Sequence, residues 1–472
     1  MNRAAGLLVA LALGANGCDG DDAGSLSPDE LVRELAALPG VTVEEQPTSQ
    51  TGAHYYVLHF TQPVDHGDPS QGTFQQEVSL LHRDTAAAVP MIVFTTGYSD
   101  YLLGNPAELT RLLAGNQVSI EHRYFGASRP APADWTKLTI AQAAADEHDV
   151  ITALRKIYHG AFLTTGGSKG GMTAVYHRRF YPGDVDGTVA YVAPLSFGVP
   201  DVRYDDFLDT LGPADCRQAV RDIATEMLAN HRDALVARAQ AQATSRQPND
   251  LYTRTSLGAA VESSIVSLEW AFWQYTGVQG CAGVPARSAD DDTLFAFLDR
   301  IEPVSDSDDA NVEFFEAYVY QAYAQLGYPD DGTDYLTPYL QYSDADYLGQ
   351  LPTAVPAYDA DAMRDIDSFV EHDGDRLVFI YGEWDPWTGG KFSLGDAVDS
   401  GLFVQAEGTH GSKITGLAAA DRATVFAKLN AWTGVAPQVP VARAGATSSR
   451  AGIDPALRVA GLRSLRAGLR AR

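Results

Sequence analysis

The run Gly166-Gly167-Ser168-Lys169-Gly170-Gly171 constrains this chain more than any other stretch. A serine among four glycines, with an apolar β-rich segment before it and a helix-forming segment after it, describes a sharp strand-to-helix turn. A serine at such an apex is held in a strained backbone conformation, and side chains at the flanking positions would collide, so glycine is what the geometry tolerates. The surrounding pattern agrees. Segments 54–60, 74–81, 91–95 and 118–122 read as strands, the first two antiparallel and half exposed. Met91-Ile92-Val93-Phe94 is continuously apolar after Pro90, as a buried parallel strand should be. A helix over 140–158, a strand over 161–164, a helix over 172–181 stopped by Pro182, and a strand over 188–193 complete an alternation that predicts a parallel sheet with helices on both faces.

The alternation then stops. Residues 197–361 read as largely helical, rich in aspartate clusters (290–292, 306–309, 330–331) and in aromatic residues at core-forming helical spacing. Strand signals return at 376–381 and 402–405, followed by a closing helix over 417–432. The expected organisation is therefore a core in two parts, 41–196 and 362–436, split by a helical cap over 197–361. No internal repeat is visible.

A serine hydroxyl needs a base, and the base needs an orienting acid. After the cap, Tyr381-Gly382-Glu383-Trp384-Asp385-Pro386-Trp387 follows an apolar strand, and an acid in the turn after a strand is placed to reach an imidazole. Asp385 is the expected acid and Glu383 the alternative, with turn capping before proline as the structural role open to Asp385. Only His372 and His410 lie beyond residue 350, and His372 precedes the strand that presents Asp385. His410, in Gly408-Thr409-His410-Gly411, is therefore the expected base. The order Ser, Asp, His is that of the α/β-hydrolases. In that fold the oxyanion is held by the backbone N–H after the nucleophile, here Lys169, and by one from the loop after an earlier strand, here Tyr98 in Thr95-Thr96-Gly97-Tyr98. No metal cluster or phosphate loop competes: Glu121, His122 and His177 lack ligand spacing, and no cofactor is expected.

The ends and the charge set the context. Arg3, an apolar stretch over 7–13, and small residues Ala15 and Gly17 read as an export signal over 1–17. Cys18 follows a small residue as in a lipoprotein cleavage site, though Ala15 stands where leucine is usual, so Cys18 is an expected lipidation site and possible anchor. Residues 18–40 begin as a solvated Asp/Gly tether. No other segment approaches the roughly 18 apolar residues of a membrane span. In an exported chain Cys216 and Cys281 are the remaining pair and are expected to form a disulfide. The formal net charge is −27 over 472 residues, which disfavours nucleic acid as a partner. Residues 441–472 run against it with seven Arg and one Asp; the basic tail, taken from 437, is expected to be disordered, with a lipid-touching amphipathic helix as the alternative.

Three readings of function follow. The constellation predicts a serine hydrolase; an esterase or lipase shares that fold, and a non-catalytic surface lipoprotein that binds peptides could retain it. Three catalytic residues in the correct order argue against the last.

Thr165-Gly166-Gly167-Ser168-Lys169-Gly170-Gly171-Met172, Arg179-Phe180-Tyr181-Pro182, Tyr191-Val192-Ala193-Pro194, the segment 268–275 and Asp385-Pro386-Trp387 resemble the secreted bacterial prolyl tri/tetrapeptidyl aminopeptidases. Glu121-His122-Arg123-Tyr124-Phe125-Gly126 and the Gly-Gly-Ser-x-Gly-Gly core are also similar to their relatives, prolyl carboxypeptidase and dipeptidyl peptidase II. The likeness runs from about residue 45 to 435, and Lys169 favours the aminopeptidase branch. It implies an α/β-hydrolase with a helical cap that releases tri- or tetrapeptides ending in proline from free N-termini. A substrate ammonium would need carboxylates in the acidic cap. Glu269 is a candidate, with a surface or helix-pairing role equally open to it.

Overall fold

The structure, a computed structural model, describes residues 25–343, 346, 353–354 and 356–439. The expected signal segment, Cys18, part of the cap's end and all but the first three residues of the basic tail lie outside the described residues.

One mixed sheet of nine strands organises the core, in the order β1-β2-β3-β5-β4-β6-β7-β8-β9. Strands β1 (Val41–Gln46), β2 (His54–Pro63) and β3 (Thr73–His82) form an antiparallel meander, and β3 also pairs antiparallel with β5 (Asn116–Ile120). From β5 onward every pairing is parallel, through β4 (Met91–Thr95), β6 (Phe162–Gly167), β7 (Gly187–Tyr191), β8 (Leu377–Gly382) and β9 (Gly401–Gln405). The parallel strands need crossovers, which supply the covering helices. Strands β4 and β8 are buried along their whole length because both faces are covered.

Alternation along β4 shows the two layers. Met91 and Val93 face a cluster built from α1 (Pro28–Ala36) and α3 (Ile140–Leu154). Ile92 faces the opposite layer, with α2 (Glu108–Leu113) and the closing helix Ala419–Thr433. Helix α4 (Lys169–Phe180) packs with α3 and with Ala362–His372 over β7 and β8.

Between β7 and β8 the chain leaves the sheet, as expected, and builds a helical cap with its own core. Leu208, Val220, Ile223, Phe272, Trp273 and Leu298 are among its buried residues. Cys216 and Cys281 are joined in a disulfide across 65 residues of sequence, as their isolation in the sequence led us to expect. A cross-link closing a loop of that length restricts the unfolded chain by about 4 kcal/mol. Reduction, or Cys216→Ser, should therefore lower the thermal midpoint by several degrees in calorimetry. An unchanged midpoint would mean that cap packing alone sets its stability.

The structure shifts several expected boundaries. The N-terminal segment is not all tether: Ser27 caps α1 through a reciprocal pair with Glu30, and Leu31 and Leu35 are fully buried. Helix α4 starts at Lys169, not 172, because the turn places the glycine pair inside the first helical turn.

Candidate active site

Three loops at the carboxyl edge of the parallel strands, after β6, β8 and β9, carry Ser168, Asp385 and His410, at the end of an α/β sheet where sites usually form. Ser168 follows β6 and precedes α4 with φ 54° and ψ −125°, a conformation rarely held by a side-chain-bearing residue. Its N–H donates to the Tyr191 carbonyl at 2.9 Å, which pins the turn to β7. Its half-buried side chain makes no capping hydrogen bond to the helix. The glycines are a packing requirement. A Cβ on Gly166 would stand 2.5 Å from the Gly170 carbonyl and 2.6 Å from the Thr95 oxygen; one on Gly97 would stand 2.5 Å from the Gly170 nitrogen. The turn after β6 and the loop after β4 thus lie backbone against backbone.

The Tyr98 loop is fixed from several sides. Thr96 Oγ1 donates to the carbonyls of Tyr98 (2.6 Å) and Ile120 (2.8 Å), and His122 N–H donates to the Tyr98 carbonyl at 2.9 Å. Glu121 accepts from the N–H groups of Asp100 (3.2 Å), Ala127 (2.9 Å) and Ser128 (3.0 Å), joining the loops after β4 and β5. Burial, reinforced by Glu77, raises the Glu121 carboxyl to about 8. The first backbone bond of α4 runs from Met172 N–H to the Ser168 carbonyl at 2.9 Å, so the Lys169 N–H stands outside the helical ladder at the positive end of the helix.

Asp385 and His410 meet. His410 Nδ1 lies 2.7 Å from Asp385 Oδ2, with the aspartate fully buried and the histidine nearly so. Asp385 Oδ1 also accepts the Trp387 N–H at 3.2 Å, so the turn-capping role is present as well. An Nδ1–H donated to the carboxylate leaves Nε2 free to accept a proton. Glu383 is exposed and instead accepts the Glu407 N–H at 2.8 Å. The Asp385 and His410 loops are tied together by Trp384 N–H to the Gly408 carbonyl at 2.8 Å.

The cap reaches the same edge. His410 N–H donates to the Gln274 carbonyl of the cap at 2.9 Å. Trp387 lies with its ring 6.2 Å from that of His410 and 5.2 Å from Trp270, and Tyr204 packs tilted against Trp270 and edge-on against Trp387. Phe315 and Tyr318, on the cap helix Asp309–Gln321, pack edge-on against Tyr98. These aromatic contacts cross from core to cap, a role that helical spacing alone does not reveal. Glu269 is buried beside Trp270 in sequence, with both carboxylate oxygens on Arg221 Nε at 2.9 and 2.8 Å; Arg221 also holds Asp209 at 2.7 Å. Burial raises its pKa, and Arg221 opposes that shift. Helix pairing is thus the contact Glu269 makes. Among the described residues no group of three His, Cys, Asp or Glu side chains is placed to hold a metal.

Some known proteins resemble this chain over most of its length and others over about a third of it. It is 40% identical over 443 residues to a prolyl tri/tetrapeptidyl aminopeptidase of Streptomyces mobaraensis, covering 92% of this chain and 91% of that one. It is 32% identical over 175 residues to the lysosomal Pro-X carboxypeptidase of Mus musculus, covering 33% of this chain and 36% of that one. A solved peroxisomal alpha-beta-hydrolase of Saccharomyces cerevisiae aligns over 91% of this chain and 96% of its own at 11% identity, with a TM-score of 0.32. The family model described as PS-10 peptidase S37 matches residues 29–461. The chain is therefore an enzyme, a serine peptidase, and it belongs to the PS-10 peptidase S37 family.

Proposed function

We propose that the protein is an exported exopeptidase that releases short peptides ending in proline, tri- or tetrapeptides, from free N-termini. The Asp385–His410 pair, on the same strand edge as the Ser168 turn, is the observation that carries the mechanism. The family membership and the 40% identity to the Streptomyces enzyme support the substrate class.

In this reading Ser168 Oγ attacks the prolyl carbonyl carbon while its proton passes to His410 Nε2. The tetrahedral oxyanion accepts from the Lys169 and Tyr98 N–H groups, strengthened by the N-terminus of α4. His410 returns the proton to the leaving amine, and water, deprotonated in turn by His410, hydrolyses the acyl-enzyme. Asp385 holds the imidazole in its working tautomer. The Trp387 indole, beside His410 and backed by Trp270 and Tyr204, offers the flat apolar wall a pyrrolidine ring needs. The acidic cap favours a substrate carrying an ammonium group, and Glu269, already engaged by Arg221, contributes to that potential. Export by the segment over 1–17, with Cys18 as lipid anchor, fits the disulfide in the cap.

A chromogenic X-X-Pro peptide with a free amine, its N-acetylated form and a short acyl ester test the reading together. The free peptide should be cleaved, and acetylation should reduce kcat/KM at least about 100-fold by leaving the acidic cap without its charge partner. Trp387→Ala should raise KM several-fold for the proline substrate. Equal turnover of free and blocked peptides, with faster turnover of the ester, would favour an esterase.

A further inference from the structure

The side chain of Lys169 is buried, with 1% of the residue exposed, and its ammonium turns inward to donate to the Gly97 carbonyl at 2.7 Å. The same nitrogen stands over the rings of Tyr98 and Phe125, 5.6 and 5.3 Å from their centroids. A carbonyl and two aromatic faces are the partners a desolvated ammonium requires. Burial holds its pKa well below that of an ordinary lysine, with Glu147 acting in the opposite direction. Glu147 is buried too, and burial raises its carboxyl while Lys169 pulls it down. An apolar residue would fill this space without those desolvation costs, so the charge needs a reason.

Position supplies one. Gly97 immediately precedes Tyr98, the proposed second oxyanion donor, and Gly97 packs directly on the backbone of Lys169 and Gly170. We infer that the Lys169 side chain is a positioning residue for the oxyanion hole: its backbone N–H supplies one donor while its ammonium tethers the loop that carries the other. Both donors are thereby referenced to a single residue beside the nucleophile, and small shifts between them are suppressed. The inference rests on the proposed roles of Ser168, Lys169 and Tyr98.

The test uses the full chain, with Lys169→Met and the double variant Lys169→Met/Glu147→Gln. Methionine keeps an unbranched apolar stem against the two rings but cannot donate to Gly97. Lys169→Met should lower kcat on the free-amine X-X-Pro substrate about 100-fold, as losing one oxyanion donor does, with KM changed less than about threefold. Affinity for a boronic-acid analogue that forms a tetrahedral adduct on serine should fall in step with kcat, while affinity for the product peptide stays. The thermal midpoint of Lys169→Met reports folding separately from rate. The double variant also replaces the buried Glu147 carboxyl and should stay as slow as the single one; a cooperative thermal transition in both variants with kcat still low separates positioning from folding. Wild-type kcat in either variant, or loss of kcat and product affinity together, overturns the inference. Site-mapped fluorophosphonate labelling of the wild type is the independent control. Failure to label Ser168 sinks the mechanism itself, whereas labelled wild type with fully active Lys169→Met sinks only the tether.

Discussion

Ser168→Ala should abolish hydrolysis of the free-amine X-X-Pro substrate, with kcat falling on the order of 10⁵- to 10⁶-fold, the cost of deleting a triad nucleophile. The geometry explains why the loss should be catalytic and not structural. The Ser168 side chain caps nothing, and the turn is held by the Ser168 backbone and by glycine packing against Thr95, Gly97 and Gly170, all retained in the variant. The thermal midpoint should therefore move by no more than about 2 °C, consistent with removing a hydroxyl that does not cap the helix. Substrate binding should persist, because the cap and the Trp387 wall are untouched. Steady-state kinetics with calorimetry on the same preparation checks both halves. A variant with wild-type turnover, or one that has simply unfolded, would contradict the assignment.

Asp385→Asn is the second large effect, a fall in kcat of about 10⁴-fold with KM nearly unchanged. Asp385 Oδ2 lies 2.7 Å from His410 Nδ1, and both groups are buried, so no water replaces the lost charge. An amide at this position offers His410 a donor, favours the tautomer with its proton on Nε2, and removes the acceptor that Ser168 needs. It also leaves the imidazolium formed during attack without a counter-charge. Glu383→Gln is the internal comparison. Glu383 is exposed and its bond is to Glu407 N–H, so its loss should change kcat less than about threefold. If Glu383→Gln were the crippled variant, the acid would have been misassigned.

Much of the site was legible because the chemistry demands particular residue types in a particular order. The turn around Ser168 announces itself through glycines whose absent side chains make room for neighbouring backbone. Asp385 and Glu383 share the turn after β8, so the sequence leaves Glu383 as the alternative; the geometry puts Asp385, not Glu383, on His410. The alternation of strands and helices predicted the parallel sheet, and the loss of that alternation after residue 196 predicted the cap.

What stayed hidden depends on contacts between residues far apart in sequence. Strand β1 escaped notice because it is an edge strand that buries only Val41, so its side chains carry little apolar alternation. Lys169 reads in the sequence as a backbone donor after the nucleophile; its side-chain bond to Gly97 joins residues 72 apart. Glu269 reads either as a candidate for the substrate ammonium or as a helix-pairing acid, and only the structure places Arg221, 48 residues earlier, against it. The aromatic residues at helical spacing look like cap core, and Phe272 and Trp273 are; Phe315 and Tyr318 instead bear on Tyr98, which no periodicity could show. The start of α4 at Lys169 defies helix propensity, since two glycines occupy its first turn, because the sharp turn fixes where the helix must begin.

The proposed mechanism requires that Ser168 become covalently acylated, activated by His410. The most direct measurement is mass-spectrometric mapping of the full chain after reaction with a fluorophosphonate. One adduct is expected, on the peptide containing Ser168, formed at a rate that falls sharply in His410→Ala and disappearing in Ser168→Ala. An adduct on any other residue, or a wild-type enzyme that hydrolyses X-X-Pro while remaining unlabelled, would contradict it.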